Sequence, residues 1–384
     1  MQTFIGYERA DGSVGTRNVV AIASVMDNSN PVARAVAAAV SGTVLLPGLY
    51  MRGQLGRDRE ITLNVMAGLC LNPNVAGVVV IGLEPITTGE LTARIAPSGK
   101  PVQFVNVQPA GGTINAIAEG TRMASRMVRE VSKIRSREFP ISKLRVGVEC
   151  GGSDTTSGLS SNPAVGIVAD RIVAAGGQVI ISETSEFFGA EHLFAQRAKD
   201  AGTKKRFLHE IAALEKEIVD QGIDLRGSNP SQDNIRGGLT TIEEKALGAM
   251  AKAGKSPLVG VLSYGEAPKA PGLHFMAAPA PAVENLTALA AAGCQMVVFS
   301  TGVGNPIGHP VSTIIKVTGN RNTAETFADN IDYEVTGILE RNERIEDAGT
   351  RLFEYVLSVA SGELTSSEVL DVRETIISRF GTSM

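Results

Sequence analysis

Aliphatic runs recur along the chain, and between them the apolar positions fall three or four residues apart. In the first third the runs are Val19–Val25, Thr43–Leu46, Val75–Leu83 and Val102–Val107. The 3.6-residue period between them predicts helices over Asn30–Val40, Ile61–Leu71 and Gly112–Ile134. Pro31 suits the first turn of the first of these, where its missing N–H costs nothing. Val75–Leu83 is apolar at every position, the pattern of a strand buried on both faces of a parallel sheet.

The alternation pauses at Arg135–Lys143, a charged stretch that contains Pro140, and then resumes. Strands are predicted over Leu144–Val148, Gln178–Ser182, Leu258–Leu262, Met296–Ser300 and Ile314–Val317. Helices are predicted over Ala164–Ala175, most of Gly189–Asp220, Ile242–Ala253 and Ala282–Ala292. Residues 227–241 read as a polar, Gly-rich loop, and Tyr333–Phe380 as a broken helical tail. Strands alternating with helices imply right-handed βαβ units. The expected fold is therefore α/β, three-layered, with two Rossmann-like lobes of mainly parallel sheet, residues 1–137 and 138–384. A ligand cleft is expected between them.

Composition narrows the class of protein. Aromatics are 4% of residues, Trp is absent and Gly numbers 42, which suits layered aliphatic strands and tight turns better than a β-sandwich. A net charge of -4 with no basic stripe argues against nucleic acid as a partner. No apolar stretch reaches the roughly 18 residues of a membrane span, and the amino terminus lacks the pattern of a signal peptide. Three widely spaced cysteines suggest reduced thiols and a cytoplasmic protein.

The richest chemistry follows the strand at Leu144–Val148. There the chain reads Glu149-Cys150-Gly151-Gly152-Ser153-Asp154-Thr155-Thr156-Ser157-Gly158, and then reaches Asn162-Pro163. Open α/β sheets bind ligands at the carboxyl ends of their strands, and Gly151 and Gly152 let the backbone approach an anion closely. Three further polar stretches repeat the theme: Ser182-Glu183-Thr184-Ser185-Glu186, Gly237-Gly238-Leu239-Thr240-Thr241, and Ser300-Thr301-Gly302-Val303-Gly304. Thr240 or Thr241 should cap the helix at Ile242, with Glu243 or Glu244 completing a capping box. A bland reading stands beside each: such turns are often purely structural, Lys245 reads as a solvated helix residue, and Cys150 as a small buried hydrophobe. His192 and His209 read as surface groups. Asp11-Gly12-Ser13-Val14-Gly15 is glycine-bearing but has no preceding strand in this reading, so it is not a dinucleotide fingerprint.

In order, these segments resemble the altronate and galactarate dehydratase family. The likeness begins at Gly6-Tyr7-Glu8-Arg9 and runs through Arg17-Asn18, Gln54-Leu55-Gly56-Arg57-Asp58 and Asn72-Pro73-Asn74. It is densest in the second half: Cys150-Gly151-Gly152-Ser153-Asp154, Ser182-Glu183-Thr184, Gly189-Ala190-Glu191, Gly237-Gly238-Leu239-Thr240-Thr241-Ile242-Glu243-Glu244-Lys245 and Phe299-Ser300-Thr301-Gly302. The resemblance implies a lyase acting on a small hydroxy or sugar-acid carboxylate, or on a sulfolactate-type substrate. Such an enzyme takes a proton from the carbon beside a carboxylate while a leaving group departs from the next carbon.

The resemblance also implies iron or another divalent metal, yet most of the expected ligands are missing. Asp27 stands near one lost cysteine, Arg52 lies in a segment that has lost a His and a Cys, and Glu84 falls at a third altered turn. Cys150 is the one cysteine left of those associated with the metal, so Cys150 and Asp27 are the remaining metal candidates and the cofactor is unknown. The expected catalytic groups are Glu183, Lys245, His309 and Lys316. Substrate binding is expected from Arg17, Arg52, Gly151, Gly152, Ser153, Asp154, Asn162, Thr240, Thr241, Ser300, Thr301 and Gly302. The resemblance further suggests a separate small SAF-domain subunit as partner, and a homodimer. Two alternatives stay open: a metal-independent enzyme of changed reaction type, such as an epimerase or another elimination, and a non-catalytic binding subunit.

Overall fold

The structure is a computed structural model that describes residues 2–224, 229–381 and 383–384. In the first lobe, β3 (Val19–Ser24), β4 (Thr43–Leu46), β5 (Val75–Gly82) and β6 (Val102–Asn106) form a parallel sheet in the order β4-β3-β5-β6. Helices α1 (Asn30–Ala39) and α4 (Thr113–Val131) cover one face, and α2 (Gly56–Leu71) and α3 (Pro85–Ile95) cover the other. Every residue of β5 is buried, as its unbroken apolar run predicts.

The second lobe has a seven-stranded parallel sheet. Its strands are β8 (Arg145–Cys150), β9 (Gln178–Ile181), β10 (Leu258–Leu262), β11 (Gly272–Met276), β12 (Met296–Ser300), β13 (Thr313–Thr318) and β14 (Tyr333–Glu334), in the order β10-β11-β9-β8-β12-β13-β14. Helices α5 (Asn162–Ala174), α6 (Ala201–Asp220), α7 (Ile242–Met250) and α9 (Ile345–Ala360) pack on one face around a core rich in Phe. Helix α8 (Ala282–Ala291) covers the other face and in turn packs against α2 of the first lobe. The two-lobed, three-layer α/β expectation is met.

Strand order locates the natural ligand crevices. From β8 the chain crosses by α5 to β9 on one side, and α8 later delivers β12 to the other side. The order therefore reverses between β8 and β12, the switch point at which open sheets bind ligands. The Cys150–Asp154 and Ser300–Gly302 segments emerge there. The first sheet has its own reversal between β3 and β5, from which Met26-Asp27 and Leu83-Glu84 emerge.

Three sequence expectations need correction. A strand does precede Asp11–Gly15: β1 (Thr3–Glu8) pairs antiparallel with β2 (Val14–Gly15), so the segment is a hairpin turn, with Gly12 at φ 78. Residues 135–143 are not only a linker, because β7 (Arg137–Pro140) returns to pair with β1. The tail is not helical to Phe380; beyond Leu370 it runs extended across the molecule. Part of the expected 227–241 loop lies outside the described residues, and its described part contains a short helix at Gln232–Arg236.

Two devices join the lobes. Asn72 and Asn74, both fully buried, reach from the entry to β5 into the second lobe. The Asn72 amide donates to Ala290 O and Cys294 O, and the Asn74 amide to Gln295 O and Val311 O, all at 2.8–2.9 Å. The second device is the tail. Ile377 is buried in the core of the first lobe, and the Ser378 hydroxyl donates to Glu284 of the second. The Phe380 and Gly381 amides donate to the buried Asp58 carboxylate, and Met384 N bonds Gly53 O.

Candidate active site

Below the switch point lies a cluster of buried ionic groups. The Lys252 ammonium, fully buried, pairs with Glu183 at 2.7 Å and stands 3.1 Å from Cys150 Sγ. Glu183 also accepts the Cys150 backbone N–H at 3.2 Å. It adopts a left-handed conformation (φ 68) that is costly for a residue with a Cβ, the kind of strain found at functional positions. A second pair lies alongside, Lys245 to Glu186 at 3.0 Å, with Lys245 also donating to Asn229 at 2.7 Å. Lys245 and Lys252 are separated by two helical turns and so address the same side, where Glu183 and Glu186 receive them.

Burial governs the protonation of these groups. It pushes the Glu183 carboxyl up to about 7, against the pull of the Lys252 ammonium and with a further push from Glu186. Burial also lifts the Cys150 thiol to about 11, with Glu183 adding to the rise. The thiol is thus neutral and inert, not the exposed group its Gly-Gly context suggests. Burial alone would lower Lys252, but Cys150, Glu183 and Glu186 outweigh it and hold the ammonium charged. Glu149, on the opposite face of β8, is raised well above the carboxylate range by burial and then by Glu183.

Above the cluster is a cavity of about 310 Å³, lined among others by Ser153, Asp154, Asn162, Leu239 and Lys245. Asn162 donates to Gly248 O, while its buried Oδ1 has no hydrogen-bond partner among the described residues. Gly158 and Gly248 meet where the helix entry crosses α7, a contact that larger side chains would push apart. Thr241 caps α7 by accepting Glu244 N–H at 3.1 Å, and the Glu244 carboxylate accepts the Thr240 N–H and hydroxyl. Thr241 is the cap, as expected, but no capping box closes, because the Glu244 carboxylate bonds Thr240 and not the backbone N–H of the cap residue; both threonines are engaged.

Several other expected binding residues turn out to hold the loops together. Asp154 accepts from Ser157 N, Thr156 and Asn320, and a Cβ on Gly302 would overlap its carboxylate. Ser300 shares a hydrogen bond with Ser161 at 2.8 Å, and Thr301 Oγ1 accepts Gly304 N–H. Gly151 sits against the Phe299 ring, where a Cβ would lie 2.7 Å from Cζ. Gly152 takes φ 67, and its carbonyl accepts from both Gly302 and Val303. Ser153, Asn162 and Lys245 thus share one cavity, while Glu183 and Cys150 are buried together on Lys252, the two groups being linked through Glu186, and the remaining loop residues frame them.

Other expected groups lie elsewhere. Arg17 is at the amino end of β3, paired with Glu368 at 2.7 Å and bonded to Val359 O and Glu363 O, so it is a structural clamp. Arg52 is exposed on the loop before α2 and makes no ion pair among the described residues. The His309 Nδ1 accepts from Val311 N and Ser312 N, which ties the ring to the turn entering the amino end of β13. Burial lowers that imidazole to about 3. Lys316 is fully buried on β13, facing the α8 side. Lys252 and Glu149 carried no motif; the one legible signal was the seven-residue spacing of Lys252 from Lys245.

The expected metal ligands do not make a site. Glu84 caps α3, held below the usual carboxylate range by hydrogen bonds from Thr87 and Ile86. Asp27 is exposed and accepts Asn28 N–H. Cys150 has the Lys252 ammonium beside its sulfur, a neighbour that repels a cation. Among the described residues no three His, Cys, Asp or Glu side chains converge as a metal would require.

Comparison with known proteins settles the family. Residues 141–383 match the profile described as D-galactarate/altronate dehydratase, C-terminal, and residues 6–132 match D-galactarate dehydratase/altronate hydrolase, second domain. The chain belongs to the D-galactarate/altronate dehydratase family. It is 41% identical to a (2R)-sulfolactate sulfo-lyase subunit beta of Chromohalobacter salexigens, over 98% of this chain and 97% of that one. It is 33% identical to the altronate dehydratase of Bacillus subtilis, covering 100% of this chain and 79% of the relative. It is also 33% identical to the galactarate dehydratase (L-threo-forming) of Escherichia coli, over 94% and 73%. These relatives carry out lyase reactions, and membership of their family makes this chain a carbon–oxygen or carbon–sulfur lyase. Among the described residues no helix is long and apolar enough to cross a membrane.

Proposed function

We propose that the chain is the large subunit of a lyase that expels sulfite from a sulfolactate-type 2-hydroxy acid. The observation that carries this reading is the higher identity to the sulfo-lyase subunit, 41% against 33% for the dehydratases, sustained over nearly the whole of both chains.

The chemistry asked of the site is a β-elimination. A base takes the proton from C2, the C2–H electron pair becomes the C2=C3 bond, and the C3–S pair leaves with sulfite. The resulting enol gains a proton at C3 and gives up its hydroxyl proton, which yields a 2-oxo acid. Glu183 is the base in this proposal. A carboxyl raised to about 7 is a stronger base than an ordinary one and is still substantially ionised near neutral pH. Lys252 holds it in place and balances its charge, acting as a positioning residue. Lys245, on the cavity wall, offers an ammonium to an anionic group of the substrate, and Ser153 and the free Asn162 Oδ1 offer hydrogen bonds.

A small partner subunit, in keeping with the subunit naming of the relative, completes the enzyme, and the large subunits pair as a dimer. The test is turnover of (2R)-sulfolactate, altronate and galactarate by the chain alone and with a candidate small subunit. Sulfite release from sulfolactate only when both subunits are present is the expected result. Dehydration of altronate or galactarate by the chain alone would overturn the substrate and partner assignments.

A further inference from the structure

Two ionisable side chains of the second sheet have no partner for their polar ends. Glu149 on β8 and Lys316 on β13 both stand level with Phe299 of β12, so the three form one lateral row. The row is on the α8 face, which looks toward the first lobe. Glu149 and Lys316 are both fully buried. Neither Glu149 oxygen, nor Lys316 Nζ, has a hydrogen-bond partner among the described residues.

Adjacent strands lie about 4.8 Å apart, so the Cα atoms of acid and amine are roughly 10 Å apart. Their side chains are long enough to approach each other across that gap. They do not pair, and Phe299, whose ring lies on Gly151, stands between them. Two residues earlier on β12 and β13 the same face carries Val297 and Ile314, so the sheet reverts to apolar packing one step away from the row. Purely structural packing would favour apolar residues here too, because a buried polar group without a partner costs about 1–3 kcal/mol. An acid and an amine left unpaired in the same row, at the carboxyl end of the switch-point strands, match a ligand that supplies both missing partners.

We propose that Glu149 and Lys316 are the two poles of a receiving site for a small 2-hydroxycarboxylate, Lys316 pairing with its carboxylate and Glu149 donating a hydrogen bond to its hydroxyl. The choice of ligand rests on the lyase reading above; the placement of the site does not. Asn305 lies near Gly151 and Ile307 packs on the α8-side core, so the β12–β13 loop covers the row and must move to admit the ligand.

The test uses the full chain, with its small subunit if one is required, and three proteins: wild type, Glu149→Gln and Lys316→Met. Thermal unfolding is followed without ligand and across a titration of (2R)-sulfolactate, altronate or galactarate. The expected result is that both variants unfold at the same or a higher temperature without ligand, since each relieves an unmet polar group. Calorimetric titration is also expected to show two binding events in the wild type, of which one weakens at least about tenfold in both variants while the other, at the Lys245 cavity, is unchanged. A lowered unfolding midpoint in both variants would make the pair structural and overturn the inference. A single binding event in the wild type, or two that both variants leave unchanged, would overturn this inference alone, whereas a wild type that binds none of the three acids would take the proposed function down with it.

Discussion

The two lobes share a design and differ in what they bury. Each is a parallel sheet with one reversal of strand order, and each sends polar residues out from that reversal. In the first lobe those residues face water or cap a helix: Asp27 is exposed and Glu84 closes the first turn of α3. In the second lobe they are buried with counter-charges, as Lys252, Glu183, Lys245 and Glu186 show. Strand topology alone thus provides a crevice in each lobe, and only the second lobe adds desolvated charge to it. A carboxylate that caps a helix, such as Glu84, is held below the usual range by the hydrogen bonds it accepts. A buried one such as Glu183 is shifted toward the range useful to a base.

The sharpest way to break this comparison is to remove a charge from each lobe. Lys252→Met would leave the Glu183 carboxylate buried without its partner and should cost about 3–5 kcal/mol in urea unfolding. Asp27→Asn and Arg52→Met should each stay within about 0.5 kcal/mol. Equal losses in the two lobes would erase the distinction.

Proton linkage comes next. Glu183 is raised from its ordinary value to about 7 in the folded state, so folding favours its protonated form. Its contribution to stability is complete below about pH 4.5 and is lost as pH rises through about 7. Urea midpoints measured across that window should fall with rising pH, and Glu183→Gln should flatten the trend. For the active enzyme, kcat/KM should rise through about pH 7 as the base ionises, the opposite direction to stability.

Glycine substitutions give a smaller contrast. Gly302→Ala drives a methyl into Asp154 and should cost about 1–3 kcal/mol. Gly89→Ala, in helix α3 of the first lobe with open space around it, should instead gain up to about 1 kcal/mol. Thermal midpoints of the pair should move in opposite directions. Smallest, and alike in the two lobes, is the loss of a cap: Thr241→Ala and Glu84→Ala should each cost about 1 kcal/mol by denaturant titration.

Much of the fold is legible in the sequence. The apolar run of β5 announces itself because it is a central parallel strand covered on both faces, whereas β6 is an edge strand with Gln103 and Phe104 exposed. Helix α7 is announced by Thr241 and Glu244 at capping distance. What escapes is long-range pairing. Strand β1 finds its partner in β7, far along the chain, and β11 enters between β10 and β9 after a short segment with few strand formers. The site divides in the same way. Glu183 and Lys245 are visible because polar residues stand at strand and helix ends. Lys252 sits among Ala and Gly, and Glu149 reads only as the first residue of the polar stretch after Leu144–Val148. Their importance comes from complete burial, which only the packed structure reveals. Arg17 and His309 look functional for the complementary reason: their partners, Glu368 and the turn at Val311, cannot be inferred from local pattern.

The extended tail carries one more implication, for how the molecule is made. Ile377 belongs to the core of the first lobe, and Asp58 on that lobe waits for the amides of Phe380 and Gly381. On a ribosome, residues near the amino terminus emerge and begin to fold first. Here they emerge without a piece of their own interior, which arrives only after the whole second lobe has been synthesised. The lobe that is translated first is therefore the one that is finished last.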